Sequence, residues 1–395
     1  MKKFITLAAL LATTAVLTAC GGGGGAAPAA PAPGGGTPAA TPTAADSDEL
    51  TEALTRIFPT QMANGGNVRV AVIRNLPAGD HTQQFLDGAR SEGEALGFEV
   101  SLIVTDGDSE RAMNAIAQAI NAGYDGLIIS HAELGYAYDS LLPARQAGIE
   151  VVTFDTMPYR GGVAGGELLE GVTSTAQDDI ALAELSLGYL VDWFPVEEQP
   201  IRVWRAWFGP GIPPLDRRQV IFDRLVADGV IEEVTLVAPI DLGNPRGGTR
   251  DVASALLPAH PAGTVDAVWG SFDELAKGVL DAFLDAGRTE IPIMGIDVSN
   301  DNLNLMREHS DIWVSTAAVD PTLIGTVNMR ILAAKMAGEP TPDYYEFLAH
   351  NIRTADLRPD TTMANLHEVV DGWGRPDGMF DGYDWMQELR ALTGR

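Results

Sequence analysis

An α/β fold of two Rossmann-like lobes, each built on a parallel sheet, is predicted by two features: β-rich runs alternating with amphipathic helical stretches, and a glycine-rich break dividing that rhythm in two. The 395 residues suffice for two cores, and 46% hydrophobic with 20% charged residues is the composition of a globular chain. The alternation starts at Val68–Arg74, followed by a helix over 81–97 with Phe85, Ala89 and Leu96 on one face. Phe98–Thr105 leads to a helix over 109–123, where Met113, Ile116, Ala117 and Ile120 keep the spacing of a buried stripe. Gly126–Ser130 and Glu150–Phe154 complete four strands before the break at Gly161–Gly171. The second half opens with a helix around 177–194, for which Ser174 or Thr175 is the expected N-cap. Strands are then expected at 201–207, 231–239, 265–270, 291–296 and 313–319. Gly97, Gly123, Gly148, Gly229 and Gly287 each precede a strand, as left-handed helix caps do.

The N-terminus carries a different signal. Lys2 and Lys3 precede an apolar run, Phe4–Ala19, that is short for a membrane span and has the form of a signal peptide over 1–19. Leu17-Thr18-Ala19-Cys20 resembles the bacterial lipobox, and Cys20, the chain's one cysteine, is the expected lipidation site. Residues 20–46, the acylated cysteine and a Gly/Ala/Pro/Thr tract, form a tether with a reach of about 25–30 Å. An extracytoplasmic, membrane-anchored protein follows from this leader.

Charge and motifs exclude several classes. A formal charge of −28 opposes phosphate backbones, so nucleic acid is not an expected partner. Gly209-Pro210-Gly211 follows a strand, but Pro210, Pro213 and Pro214 lack the amide hydrogens of a pyrophosphate cradle. A P-loop and a nucleophile elbow are absent, and His367-Glu368 lacks the second histidine of a zinc helix. Neither enzyme activity, nor a cofactor, nor a metal site is expected.

Ligands of open parallel sheets sit beyond the carboxyl ends of the strands. The residues there are Asn75, His131, Asp155, Trp207 with Phe208, Asp241, Phe272 with Asp273, and Asp297. Carboxylates and amides suit the hydroxyl rim of a sugar, and aromatic rings suit its C–H face. Strand alternation puts Trp204 and Trp207 on opposite faces, so Trp204 is assigned to the core and Trp207 to the cleft.

Residues 67–350 resemble the type I periplasmic binding proteins, specifically the ribose-binding-like sugar carriers. The likeness rests on Val68–Asn75, on Gly88-Ala89 with Glu94–Gly97, on Gly148–Asp155, on Asp266–Asp273 with Ala276 and Gly278, and on Ile293–Asp297. It implies two lobes joined by a three-strand hinge with crossings near 173–176, 317–321 and 339–344, closing on a ligand between them. The implied first lobe is 47–174 plus 319–342, the second 175–318 plus 343–355, and 356–395 is an extension packed on one lobe. Asp155 and Asp297 match family ligand positions, and Arg218 aligns with the family's cleft arginine, Arg217 remaining open. Replacement of Asp155 or Arg218 is expected to abolish binding with little effect on stability. Phe272 stands where the ribose pattern has asparagine, which exchanges a hydrogen bond for a stacking surface. The implied protein is a monomer that binds a sugar or polyol and delivers it to an ABC permease and ATPase. A sensor that presents its ligand to a receptor, and a carrier for a nucleoside or other non-sugar solute, are the alternatives.

Overall fold

A computed structural model describes residues 44–76, 79–210, 212–239, 243–374 and 379–395. The predicted signal peptide, Cys20, the tether up to residue 43 and Asp241 lie outside the described residues.

Two helices, α1 (Ala44–Ile57) and α2 (Pro59–Gly65), precede the alternation, so the last three residues assigned to the tether are helical. The first lobe then runs β1 (Arg69–Arg74), α3 (Asp80–Ala95), β2 (Glu99–Val104), α4 (Ser109–Asn121), β3 (Gly126–Ser130), α5 (Leu134–Gln146), β4 (Glu150–Phe154) and β5 (Val172–Gln177). The second runs α6 (Asp179–Trp193), β6 (Ile201–Ala206), α7 (Pro213–Ala227), β7 (Ile231–Val237), α8 (Pro245–Leu256), β8 (Ala267–Gly270), α9 (Asp273–Ala286), β9 (Ile293–Ile296), α10 (Asn300–Glu308) and β10 (Trp313–Ala318). The chain returns through α11 (Pro321–Met336) and β11 (Tyr344–Phe347), then β12 (His350–Arg353) and finally α12 (Asp384–Thr393).

These strands form two six-stranded sheets, ordered β11-β5-β4-β3-β1-β2 and β12-β10-β9-β8-β6-β7. All pairings are parallel except that of β12 with β10, which is antiparallel. Near-continuous apolar strands such as β3 and β9, buried throughout, are what a sheet covered on both faces requires. Five strands of each sheet share one doubly wound order, with the direction of winding reversing between β1 and β3 and between β6 and β8. At such a reversal the loops diverge and leave a crevice at the carboxyl ends.

Three expectations are corrected here. Ser174 and Thr175 lie inside β5, whose Val-Thr-Ser-Thr run is strand-forming, and α6 is capped instead by Asp178, which accepts from the Ala181 amide at 2.8 Å. The first crossing therefore falls at Asp178, and residues 175–177 stay with the first sheet. Residues 344–347 also belong to the first sheet, as β11 paired in register with β5, so the third crossing is Leu348-Ala349. The middle crossing, Val319-Asp320, lies within its expected range.

The third correction concerns the extension, which packs on both lobes. Leu366, Val370 and Trp373 join the second-lobe core beside Ile312 and Trp313, and the Met363 amide donates to Asn300 Oδ1 at 2.9 Å. Met386 and Leu389 of α12 are buried with Ala53, Leu54 and Phe58, and Arg390 donates to Glu92 of α3. An apolar stripe on α12 meets the one on α1, which explains why the last residues return to the first lobe.

Helices α3 and α11 cross closely because their contact is glycine. A Cβ on Gly88 would stand 2.1 Å from the Thr322 carbonyl oxygen, and one on Gly325 2.0 Å from that of Phe85. This crossing ties the returning chain to the helix whose N-terminus opens on the cleft.

Candidate functional site

The carboxyl ends of the two sheets face one another. Across the gap, Asp80 Oδ2 at the start of α3 accepts from the Asn300 amide at 2.8 Å, and Arg217 Nη2 of α7 stands 3.7 Å from Asp155 Oδ1.

Three predicted residues, His131, Asp155 and Asp297, come directly after β3, β4 and β9, and all have left-handed backbones with φ of 61°, 46° and 73°. Non-glycine residues adopt this region at a cost, and such strain gathers where side chains must be aimed. Asp155 is buried, with neither carboxylate oxygen hydrogen-bonded among the described residues. Burial, and after it the charge of Asp179, pushes its pKa up to about 7, against the pull of Arg217, Arg218 and Arg74. His131 Nε2 lies 3.7 Å from Asp155 Oδ2, and burial followed by the nearby Arg74 charge holds this imidazole well below the usual histidine range.

Arg218 is almost fully buried and heavily bonded. Its Nε donates to Asp179 Oδ1 at 2.8 Å, its Nη1 to the Ser271 carbonyl at 2.7 Å, and Nη1 and Nη2 reach the Asp297 carboxylate at 3.3 and 3.4 Å. Burial lowers its proton affinity, but Asp297 and Asp179 outweigh that and hold it above the ordinary arginine range. Arg218 thus joins α6, the end of β8 and the end of β9, and positions Asp297. Arg217, more exposed, shares Asp179 at 2.5 Å and turns towards Asp155.

Asn75 is buried, and its side chain is engaged inside the first lobe: Oδ1 accepts from Thr105 at 2.6 Å, and Nδ2 donates to the His131 carbonyl and the Tyr136 hydroxyl at 3.4 and 3.3 Å. It fastens the ends of β1, β2 and β3. Asp273 bonds the Glu274 amide at 2.9 Å and pairs with Lys277 at 3.1 Å. Burial, partly offset by Lys277, raises its pKa. Trp204 sits in the core against Phe283, whereas Trp207, half-buried, carries the Arg205 guanidinium over its ring at 4.8 Å. Phe208 and Phe272 stack with centroids 5.5 Å apart, a flat apolar surface at the ends of β6 and β8.

Two groups at the cleft were missed from sequence. Arg74, the last residue of β1, is fully buried with its guanidinium 4.4 Å over the Phe85 ring, and burial brings its pKa down to about 9. His81 receives a 2.8 Å hydrogen bond from Arg74, and burial followed by the charges of Arg74, Arg218 and Lys277 brings it down to about 3. The available signal was a cation, Arg74, directly following the apolar run Val-Ala-Val-Ile of β1.

Residues 70–340 match the family model for a periplasmic binding protein domain, a range that reaches from β1 past β10 and includes the reversal of winding in each sheet. The chain belongs to the periplasmic binding protein family. Among relatives, the ribose import binding protein of Bacillus subtilis is 26% identical over 60% of this chain and 72% of its own length. The sugar ABC transporter protein of Yersinia enterocolitica is 36% identical over 84% of this chain and 97% of its own, with a TM-score of 0.75. The 5-methylthioribose transporter solute-binding protein of Thermotoga lettingae, solved with 5-methylthioribose, is 25% identical over 82% and 97%, with a TM-score of 0.69. These place the chain with periplasmic binding proteins of the ribose-binding type, transport proteins that work outside the cytoplasm and not enzymes. Among the described residues of this periplasmic binding protein, no group of three or more His, Cys, Asp or Glu side chains is arranged to hold a metal ion.

Proposed function

We propose that this chain is the extracytoplasmic solute-binding lipoprotein of an ABC importer, holding a sugar or a similar polyhydroxylated small molecule between its lobes and catalysing no reaction. The observation that carries the reading is Asp155, a buried carboxylate whose oxygens lack hydrogen-bond donors among the described residues. A buried carboxylate without hydrogen-bond donors is costly even with a cation 3.7 Å away, and a ligand that donates two hydroxyl protons to it reduces that cost. Arg217, Asp297 and His131 supply further polar contacts, with Asp273 and Trp207 at the margin, Asn75 and Arg218 holding the frame, and Phe208-Phe272 meeting an apolar face of the ligand. That face favours a sugar with a less polar substituent over an unmodified pentose, in keeping with the 5-methylthioribose bound by the Thermotoga lettingae relative.

In this reading the protein acts as a monomer, Cys20 carries the lipid that anchors it, 21–43 is the tether, and the partners are a permease and its ATPase. A thermal-shift screen of residues 44–395 against pentoses, hexoses, polyols, nucleosides and 5-methylthioribose tests the ligand. At 100 times its dissociation constant a true ligand stabilises the protein by about 2.7 kcal/mol. No shift across the panel defeats the reading. Cys20→Ser should move the protein from the membrane fraction to the soluble one, and continued sedimentation with membranes rejects the anchor.

A further inference from the structure

At the carboxyl end of the first sheet, one guanidinium organises both cleft histidines. Arg74 Nη2 donates to His81 Nδ1 at 2.8 Å, and Nη1 donates to Ser130 Oγ at 2.8 Å. Ser130 Oγ in turn lies 2.7 Å from His131 Nδ1. A guanidinium has donors and no acceptor, so Nδ1 of His81 must be bare and that ring must keep its proton on Nε2. The Ser130 hydroxyl is fully buried and already accepts from Arg74. A hydroxyl can accept twice, but its own proton needs an acceptor, and among the described residues His131 Nδ1 is the one acceptor bonded to it. The Ser130 proton goes there, which leaves the His131 proton on Nε2 as well. That nitrogen is the one 3.7 Å from Asp155 Oδ2, too far for a direct hydrogen bond. A hydroxyl oxygen about 2.8 Å from both atoms would accept from the imidazole and donate to the carboxylate.

We propose that Arg74 is a positioning residue for ligand recognition: it fixes His81 and His131 as neutral Nε2–H tautomers, so that one ligand hydroxyl bridges His131 and Asp155. This rests on the reading of the cleft as a binding site for a hydroxylated ligand, and it specifies what that ligand must present, a group that donates and accepts at once. A ketone or ether oxygen cannot donate to Asp155, and an ammonium cannot accept from His131. The electrostatics support fixed neutral rings. His131 faces Arg74 of β1, His81 of α3, Arg218 of α7 and the Asp155 carboxyl, and His81 faces Arg74, Arg218 and Lys277 of α9. Burial is the largest influence against a charge on either ring, and cations on β1 and α7, joined by Lys277 of α9 for His81, add to it.

Nitrogen-15 NMR of the histidine-labelled chain tests this without any ligand, with His81→Gln and His131→Gln assigning the signals. Both rings should show a bare Nδ1 and a protonated Nε2, unchanged from pH 5 to pH 8. An Nδ1–H tautomer at either ring, or ordinary titration near pH 6.5, overturns the proposal. In Arg74→Met burial still disfavours a charged ring, but nothing holds Nδ1 of His81 bare. Nδ1–H signal should therefore appear at one or both rings, and the dissociation constant for 5-methylthioribose or D-ribose should rise severalfold at pH 8. Arg74→Lys, which keeps the charge and one donor, should recover part of the loss. Unchanged tautomers together with unchanged affinity in Arg74→Met count against Arg74 as the positioning group. Correct tautomers in a protein that binds neither probe would leave the Arg74 arrangement standing and count against the sugar reading.

Discussion

Arg217 of the second lobe reaches to 3.7 Å from Asp155 of the first, and its neighbour Arg218 points the other way, into Asp179 and Asp297. Successive arginines on one helix turn thus divide two tasks, one facing the gap and one bracing its wall. The first prediction follows from that division. Arg218→Met removes the donor to Asp179 Oδ1, the donor to the Ser271 carbonyl and the partner of Asp297, and should destabilise the unliganded protein by about 3–5 kcal/mol in chemical denaturation. Arg217→Met, which leaves Asp179 its bond from Arg218, should cost less, about 1–3 kcal/mol, and should also weaken ligand binding. The expectation that Arg218 can be replaced with little effect on stability does not fit its burial.

Asp155 gives a pH signature. Its folded-state pKa of about 7 lies above that of an unfolded aspartate, so the folded state holds the proton more tightly. The ionised side chain is a penalty that grows as pH rises from about 4 and is complete above about 7, so stability falls through that window. Asp155→Asn should therefore melt higher than the wild type at pH 8, by an amount on the order of 4 kcal/mol at most, and match it near pH 4. Denaturant titrations at the two pH values measure the difference, and a variant less stable at pH 8 would mean that the carboxylate is satisfied.

The fold was largely legible because each strand and helix announces itself locally, as the apolar run 126–130 does. For 109–121 the helix was legible but not its face, since Ala112, Ala115, Ile116 and Ala119 are buried while Met113 and Ala117 of the expected stripe are exposed. The parts that were not legible depend on contacts made at a distance. Tyr344–Phe347 is a four-residue strand behind Pro340 and Pro342, and only its pairing with β5 assigns it to the first lobe. Of the site, His131, Asp155 and Asp297 were visible as polar residues ending apolar strands. Arg74 was hidden by its place inside a strand, where an arginine is ordinarily an edge or surface residue, and His81 was hidden because its partner lies seven residues earlier.

The extension yields a third prediction. Ending the chain after residue 378 removes the buried Met386 and Leu389 and one partner of Glu92. At about 1.5–3 kcal/mol for each buried side chain, the loss should reach several kcal/mol, read as a lower melting temperature. Circular dichroism melts test it, and an unchanged transition would show that α12 contributes no stability.

A fourth concerns the α3–α11 crossing. Gly325→Ala puts a methyl group into the Phe85 carbonyl and should cost about 1–3 kcal/mol or force the helices apart. Gly135→Ala, where a Cβ meets nothing within 4 Å, is the control and should fall within about 0.5 kcal/mol of the wild type.

The most direct measurement is isothermal titration calorimetry of 5-methylthioribose, D-ribose and related polyols into residues 44–395, with Asp155→Asn in parallel. The account predicts one site per chain, a dissociation constant of about 1 μM or tighter for at least one of these compounds, and no detectable heat with Asp155→Asn. Binding by Asp155→Asn as tight as by the wild type, or no heat from any hydroxylated compound, would contradict it.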